Sequence, residues 1–430
     1  MMIEAQRIDY QTAIATICEQ SRPGQRVISL PIARAGGMVL AEEVTSDVDM
    51  PAFDRAAMDG FAFRHADAAT QEGAGEFSIV TTIAAGSNAA SGISLGAREC
   101  VKIMTGAMVP TDADTVIPVE QTSGYAEHGA QVTFHAIPPA GDNVAPKGQD
   151  LRDGQIVLSA GALLHAQEIA MLASVGRSQV LVYAGPQIAF AATGDELREP
   201  GEPLVVGCIR NSNAYCLETQ ILNARAEPHS LGILRDRADE LRAKIATGLK
   251  RDILILSGGV SMGELDLIPQ ILEELGVRLF FRKLRVRPGQ PTVFGVRPEG
   301  CAAEGDATPS PCPTLVFGLP GNPISTLFAF DQYVAPAIRI FRHHPRSLAP
   351  RYRGELAEPA RKKKRSKDFL MLIACRAEWH TDKFLLTPLR THGSADIFAT
   401  RGANAIGYLP AGIQVAEAGT MIEFQHLYEP

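Results

Sequence analysis

The pattern of apolar and polar positions changes character near Val180. Before it, short β-prone runs such as QVTFHAI and QIVLSA are separated by many Gly, Pro and Ala turns, and few segments carry helical period. A mixed region of more than one layer is expected there. After it, apolar runs alternate with amphipathic segments, the arrangement of a parallel α/β sheet. QIAFAATGDEL predicts a buried strand running into a turn, and NSNAYCLETQILNARA a helix with Asn211 or Ser212 placed to cap it. In RADELRAKIATGL, Leu241, Ile245 and Leu249 recur every four residues and form one apolar stripe, with Asp236 at the N-cap. DILILSGGV predicts a strand ending in glycines, and DLIPQILEELG a helix closed by Gly276. TLVFGL predicts a strand feeding one helix, NPISTLFAFDQYVAPAIRIF, with Pro323 near its first position.

Between KLRVRPGQPTVFGV and TLVFGL, the stretch EGCAAEGDATPSPCP has no apolar period and reads as an exposed insertion between two strands. The last segment (GELAEPA, FLMLIACRAEW, KFLLTPL, NAIGYLP, TMIEFQHL) is a series of short strands, as in a small barrel or sandwich. The expected architecture is therefore α/β and multidomain. Its parts are a mixed N-terminal region over 1–184, a parallel α/β domain over 185–345, and a small β domain over 346–430.

Length agrees, since 430 residues exceed one ordinary core. Hydrophobic residues at 46% and charged residues at 21% place the chain among folded globular proteins. No apolar run approaches the roughly 18 residues of a spanning helix, and the N-terminus lacks the basic start and apolar core of a signal peptide. A cytoplasmic location without membrane attachment is expected. Seven scattered cysteines, none spaced as CxxC, argue against a disulfide framework or a zinc site. A net charge of -7 gives no overall attraction to nucleic acid, so an anionic substrate must be drawn by a local basic cluster.

Three strand ends carry glycine-containing polar loops. They contain Thr193 and Gly194, then Ser257, Gly258, Gly259 and Ser261, then Pro320, Gly321 and Asn322. One such loop is no more than a tight turn requires; three at the carboxyl edge of one sheet point to a shared pocket for phosphate or pyrophosphate. Glu196 and Asp266 beside it suit Mg²⁺, which takes one or two carboxylates together with phosphate oxygens. Asp195 and Glu264 read as loop-capping or solvated groups. Lys283, Arg285 and Arg287 alternate and so share one strand face, which reads either as an anion-binding face or as a solvated β edge. RKKKRSK at 361–367 reads as an exposed charged segment. Asp59, beside Gly60, reads as a turn residue from local chemistry alone. Neither GxGxxG nor GxxxxGK[ST] occurs, which disfavours a generic nucleotide-binding enzyme.

AAMDGFA, KIMTGAMVP, GDNVAPKGQD, ATGDEL, RNSNAY, SGGVSMGELD, KLRVRPGQP and GLPGNPIS occur in the order seen in the molybdopterin molybdenumtransferases, the family of MoeA and the gephyrin E domain, which the chain resembles over nearly its whole length. The resemblance implies a homodimer with interleaved N-terminal domains, a central MogA-like α/β sandwich and a C-terminal β-barrel. The implied reaction takes adenylylated molybdopterin and molybdate to molybdenum cofactor and AMP, with Mg²⁺. The implied partners are the molybdopterin adenylyltransferase and apo-molybdoenzymes. Matched motif by motif, the functional positions are Asp59, Thr105, Asp150, Glu196, Asp266 and Lys283, the first three in a cleft between chains. Arg287 stands where many relatives have Lys, Gln149 where Glu often precedes the aspartate, and Met371 where relatives often place Arg. Ser394 of HGSA resembles a glycine-serine element of the family. A scaffold that holds molybdopterin without inserting metal is the competing reading, and the retained acidic and basic set opposes it.

Overall fold

The structure is a computed structural model that describes residues 7–68, 75–125, 128–259, 267–298 and 313–427. The 299–312 insertion and the loop carrying Ser261, Glu264 and Asp266 lie outside the described residues. The chain divides into two compact units, one comprising Pro31–Arg34 and Glu42–Val180, the other taking the described residues outside it. No described helix is long and apolar enough to cross a membrane.

The first helix, α1 (Tyr10–Gln20), belongs to the larger unit. Asp9 caps it by accepting from the Thr12 N–H at 2.9 Å, and Ala13, Ile14 and Ile17 form its buried stripe. The smaller unit is built on a five-stranded sheet of β1 (Gly60–Phe63), β2 (Gly75–Ile83), β3 (Glu99–Ile103), β4 (Thr115–Pro118) and β5 (Gln131–Phe134), in the order β4-β1-β3-β2-β5. Successive side chains of β1 enter different clusters, Phe61 and Phe63 one, Ala62 the other, because strand side chains alternate in direction. Gly60 has a specific reason to be glycine. A Cβ there would lie 1.9 Å from the carbonyl oxygen of Ile117, so only a bare backbone lets β1 and β4 pair at this point.

The larger unit contains β6 (Gln187–Thr193), α2 (Ser212–Asn223), β7 (Glu227–Leu234), α3 (Ala238–Gly248), β8 (Ile253–Ser257), α4 (Ile268–Glu274), β9 (Arg278–Phe281), β10 (Val286–Arg287), β11 (Val293–Arg297), β12 (Thr314–Leu319), α5 (Pro323–Ala329) and α6 (Ala335–Phe341). Six strands make one sheet in the order β7-β6-β8-β12-β11-β9. The first four are parallel; β11 and β9 run antiparallel to their neighbours, so the sheet is mixed at one edge. Helices cover both faces. Phe190, Ile255 and Phe317 point toward α1, α2, α5 and α6, while Ala189, Leu254 and Val316 point toward α3 and α4. Leu241, Ile245 and Leu249 are at most 1% exposed, as their spacing requires, and each such side chain contributes roughly 2 kcal/mol.

Of the two candidate caps of α2, Asn211 is the one used, accepting from the Ala214 N–H at 3.3 Å. Two other local expectations are corrected. Arg237 occupies the N-cap of α3 without a side-chain bond, so Asp236 does not cap it. The helix after β12 is not continuous α: a π turn at Phe330–Val334 separates α5 from α6. Pro336 has no N–H to give to the carbonyl four residues back, and the turn widens there.

The C-terminal strands are β13 (Tyr352–Leu356), β14 (Leu370–His380), β15 (Lys383–Pro388), β16 (Ala405–Leu409) and β17 (Met421–His426). They pair in the ring β14-β15-β13-β17-β16 and back to β14, a closed small barrel filled by Leu356, Cys375, Leu386, Leu409 and Phe424. Closure removes the edges that such short strands would otherwise expose.

Candidate active site

Strands β6, β7, β8 and β12 end at Thr193, Leu234, Ser257 and Leu319 on one edge of the sheet. The chain leaves β6 for β7 on one side and returns to β8 on the other, so strand order reverses between β6 and β8. Such a reversal opens a crevice beyond the carboxyl ends. Thr193 and Gly194 stand on one side of it, Ser257, Gly258 and Gly259 on the other.

Gly258 (φ 92°) and Gly259 (φ 61°) turn in the left-handed region that favours glycine. A Cβ on Gly258 would lie 2.7 Å from the Thr193 carbonyl oxygen, and one on Gly259 2.7 Å from the Thr193 hydroxyl. The loop therefore descends onto Thr193, a residue 5% exposed whose buried hydroxyl has no hydrogen-bond partner among the described residues. A buried hydroxyl left unpaired costs roughly 1–3 kcal/mol, which a ligand oxygen at this point would recover.

The third loop is tied to the second by Asn213, which sequence reasoning missed. Its amide donates to the Ser257 hydroxyl at 2.9 Å and to the Gly321 carbonyl at 2.7 Å. The Thr326 hydroxyl donates to the Pro320 carbonyl and lies 3.3 Å from the Ser257 hydroxyl. Asn322 donates to the Ser394 hydroxyl at 2.8 Å, and the Ile324 N–H donates to the Ser394 carbonyl at 3.0 Å. The structure thus brings together Thr193, Gly194, Ser257, Gly258, Gly259, Pro320, Gly321, Asn322 and Ser394; Ser261 lies outside the described residues. The signal for Asn213 was an amide on the inner face of a helix, a poor helix former where an apolar residue would serve packing better.

Glu196 is exposed, with its carboxylate close over Gly194. Arg235, a second missed residue, holds this turn by donating to the carbonyls of Gly194 at 3.1 Å, Asp195 at 3.0 Å and Leu197 at 3.2 Å. Burial, then repulsion from Asp195 and Glu196, pushes the Asp236 carboxyl above its ordinary value, so three carboxylates share this corner. Among the described residues no group of three or more potential ligands is close enough to hold a metal ion by itself.

Lys283, Arg285 and Arg287 do not share one continuous strand. Only Val286–Arg287 is extended, pairing with Leu370 and Met371 of the barrel, while Leu284 makes an isolated bridge to Ile8. The alternation survives because Leu284 and Val286 are buried and anchor the segment, leaving the three basic residues more accessible. Arg287 donates to the Ser366 hydroxyl at 3.2 Å. The 361–367 run is exposed except at Ser366 and Lys362, the latter 5% exposed and donating its ammonium to the carbonyls of Phe369 and Pro410.

In the smaller unit, three motifs meet through the backbone. Gly106 N–H donates to Ala56 O at 2.8 Å and Ala57 N–H to Asn143 O at 2.9 Å. Asp59 Oδ1 accepts from both the hydroxyl and the N–H of Thr105, each at 2.6 Å. These two bonds, the hydroxyl first, hold the exposed Asp59 carboxyl below its ordinary value. Asp150 is exposed, its N–H bonded to Met50 O at 2.9 Å.

Comparison with known proteins sharpens the picture. Residues 8–176 match the family described as MoeA N-terminal region (domain I and II), and residues 189–340 that described as probable molybdopterin binding domain. The molybdopterin molybdenumtransferase of Bacillus subtilis is 34% identical over 392 residues, 89% of this chain and 86% of the relative. That of Staphylococcus aureus is 30% identical over 434 residues, 98% of this chain and 96% of the relative. A crystal structure of the molybdopterin biosynthesis MoeA protein from Pyrococcus horikoshii aligns with a TM-score of 0.77 at 25% identity, over 99% of this chain and 100% of that one.

Proposed function

The chain belongs to the molybdopterin molybdenumtransferase family, and from that premise we propose that it inserts molybdate into adenylylated molybdopterin with release of AMP. The observation that carries the reading is the crevice at the strand-order reversal, where three glycine-containing loops meet an unpaired buried hydroxyl at Thr193. Backbone N–H groups and small residues suit the phosphoanhydride of the substrate, which could approach closely only where side chains are absent.

In this reading Ser257, Gly258, Gly259 and Gly321 seat the pyrophosphate and Asn213 keeps their loops at a set separation. Lys283 and Arg287 attract the molybdate dianion. The corner of Glu196 fits a hard cation, since its donors are all carboxylate oxygens and substrate phosphates complete such a set. Mg²⁺ held by Glu196 and Asp266 would neutralise charge that develops on the phosphate oxygens as the anhydride opens. The rest of the work is positioning and electrostatic complementarity by the chain itself. Asp59, Thr105 and Asp150 are the remaining members of the set.

The metal goes to the dithiolene sulfurs of the substrate. Three of the protein thiols are poor acceptors, because burial pushes Cys100 and Cys375 up to about 12 and Cys216 up to about 11, leaving them protonated at neutral pH. The same reading makes the protein a cytoplasmic homodimer that receives its substrate from a molybdopterin adenylyltransferase and delivers cofactor to apo-molybdoenzymes.

The test is AMP release and cofactor formation from adenylylated molybdopterin, molybdate and Mg²⁺, wild type against Asp266→Asn. Turnover by wild type and its loss in the variant are expected. Tight substrate binding by wild type without AMP would reduce the protein to a holder of the pterin.

A further inference from the structure

In the smaller unit, the pairing of β1 with β3 gathers an aromatic ring, a cation and a carboxylate into one corner. Asp59, just before β1, is bonded to Thr105, just after β3, and Phe61 and Lys102 stand opposite each other further along the same strand pair. Tyr125 lies against that pair. Its ring meets the ring of Phe61 with centroids 6.4 Å apart and planes at 51°, and the Lys102 ammonium stands over it, 4.6 Å from the centroid.

The needs of the fold leave three features of this corner unused. Tyr125 is 49% exposed and Met58, beside Asp59, is 47% exposed, so apolar surface stays open around a charged group. Lys102 makes no ion pair and no hydrogen bond among the described residues. Asp59 receives both of its Thr105 bonds on Oδ1, and among the described residues Oδ2 accepts none. Burial, then the Asp59 and Glu120 charges, pushes the Tyr125 hydroxyl above its ordinary value, so the phenol stays neutral and can stack as an uncharged ring.

We infer that Tyr125 is the ring on which the adenine of the adenylylated substrate stacks, with Lys102 as the cation that meets the adjoining phosphate. The inference rests on the transferase reading and deepens it, since the crevice loops offer amides and hydroxyls to the pyrophosphate but no aromatic ring to a base. The three unused groups match the three parts of a nucleoside monophosphate. A purine binds an aromatic side chain through its flat surface, a ribose hydroxyl needs an acceptor such as Asp59 Oδ2, and a phosphate is drawn by an ammonium that no protein carboxylate already neutralises. Phe61 and Lys102 hold the Tyr125 ring in place beforehand, so little freedom is lost when the base arrives.

The experiment uses the full-length protein, with AMP and adenosine as separate probes in isothermal titration calorimetry, and the variants Tyr125→Ala, Tyr125→Phe and Lys102→Ala. Tyr125→Ala should weaken both probes by about tenfold or more, the effect of removing one base–aromatic stack, while Tyr125→Phe keeps both. Lys102→Ala should weaken AMP about tenfold and leave adenosine within about twofold of wild type. In the AMP-release assay, Tyr125→Ala should raise the half-saturating concentration of adenylylated molybdopterin and leave that of molybdate unchanged. Wild type that binds no AMP, or a folded Tyr125→Ala variant that binds it within about twofold of wild type, overturns the adenine seat. So does an equal loss of affinity for molybdopterin lacking the adenylyl group, which would assign the ring to the pterin instead. AMP binding that depends on Tyr125 supports the seat even in a protein that releases no AMP, an outcome that would sink the transferase reading separately.

Discussion

Asn213→Ala isolates the contact that sets the distance between two loops of the crevice. The amide gives one bond to Ser257 at 2.9 Å and one to the Gly321 carbonyl at 2.7 Å, and the residue is 9% exposed. Water has little access to replace what is lost. Ser257 keeps its neighbours Thr326 and Pro320, so the Gly321 carbonyl bears most of the damage. Two such bonds are worth roughly 2–3 kcal/mol together. The better helix propensity of alanine returns about 0.5 kcal/mol. The net loss of roughly 2 kcal/mol corresponds to a fall in Tm of about 3 °C for a unit of this size. Differential scanning calorimetry reads the stability, and the substrate dependence of AMP release reads the loops. The half-saturating concentration of adenylylated molybdopterin should rise several-fold, because the glycine loops would no longer be held in register. Asn213→Asp should be worse, since it keeps the shape, loses the donor and sets a carboxylate against a carbonyl. A variant melting within about 1 °C of wild type, with unchanged substrate dependence, would refute the reasoning.

Gly60→Ala should destabilise the smaller unit by on the order of 3 kcal/mol, because the new methyl meets a backbone oxygen at 1.9 Å and the strand must move; urea unfolding that shows no shift in midpoint would contradict this. The Asp59 carboxyl, depressed by its two bonds from Thr105, should titrate below the ordinary aspartate value. The sign follows from the depression: the interaction stabilises the fold above the unfolded-state value and is lost as pH falls through the lower folded one. Thr105→Val removes the larger cause and should move the titration upward. Carboxyl carbon shifts against pH measure both, and an Asp59 that titrates at its ordinary value in the wild type would exclude the pairing.

Much of this protein is legible in one dimension. The stripe of Leu241, Ile245 and Leu249, the glycine-ended strands and the short C-terminal runs each specify their own element, because period and turn chemistry act over a few residues. So do the eight ordered motifs, which identify the family before any contact is known. What periodicity could not supply was the set of neighbours. Asn213 and Arg235 look ordinary in the sequence; they matter only because strand order places Ser257, Gly321 and the Gly194 turn within their reach. The reversed direction of β11, the ring of β13 to β17, and the stacking of Arg7 and Arg287 on Phe369 depend on contacts across tens to hundreds of positions. Local propensity determines which segments bury a face, since that choice is made residue by residue. Which faces meet, and hence where charge and donors collect, is decided only when long-range packing offsets the entropy of closing the chain.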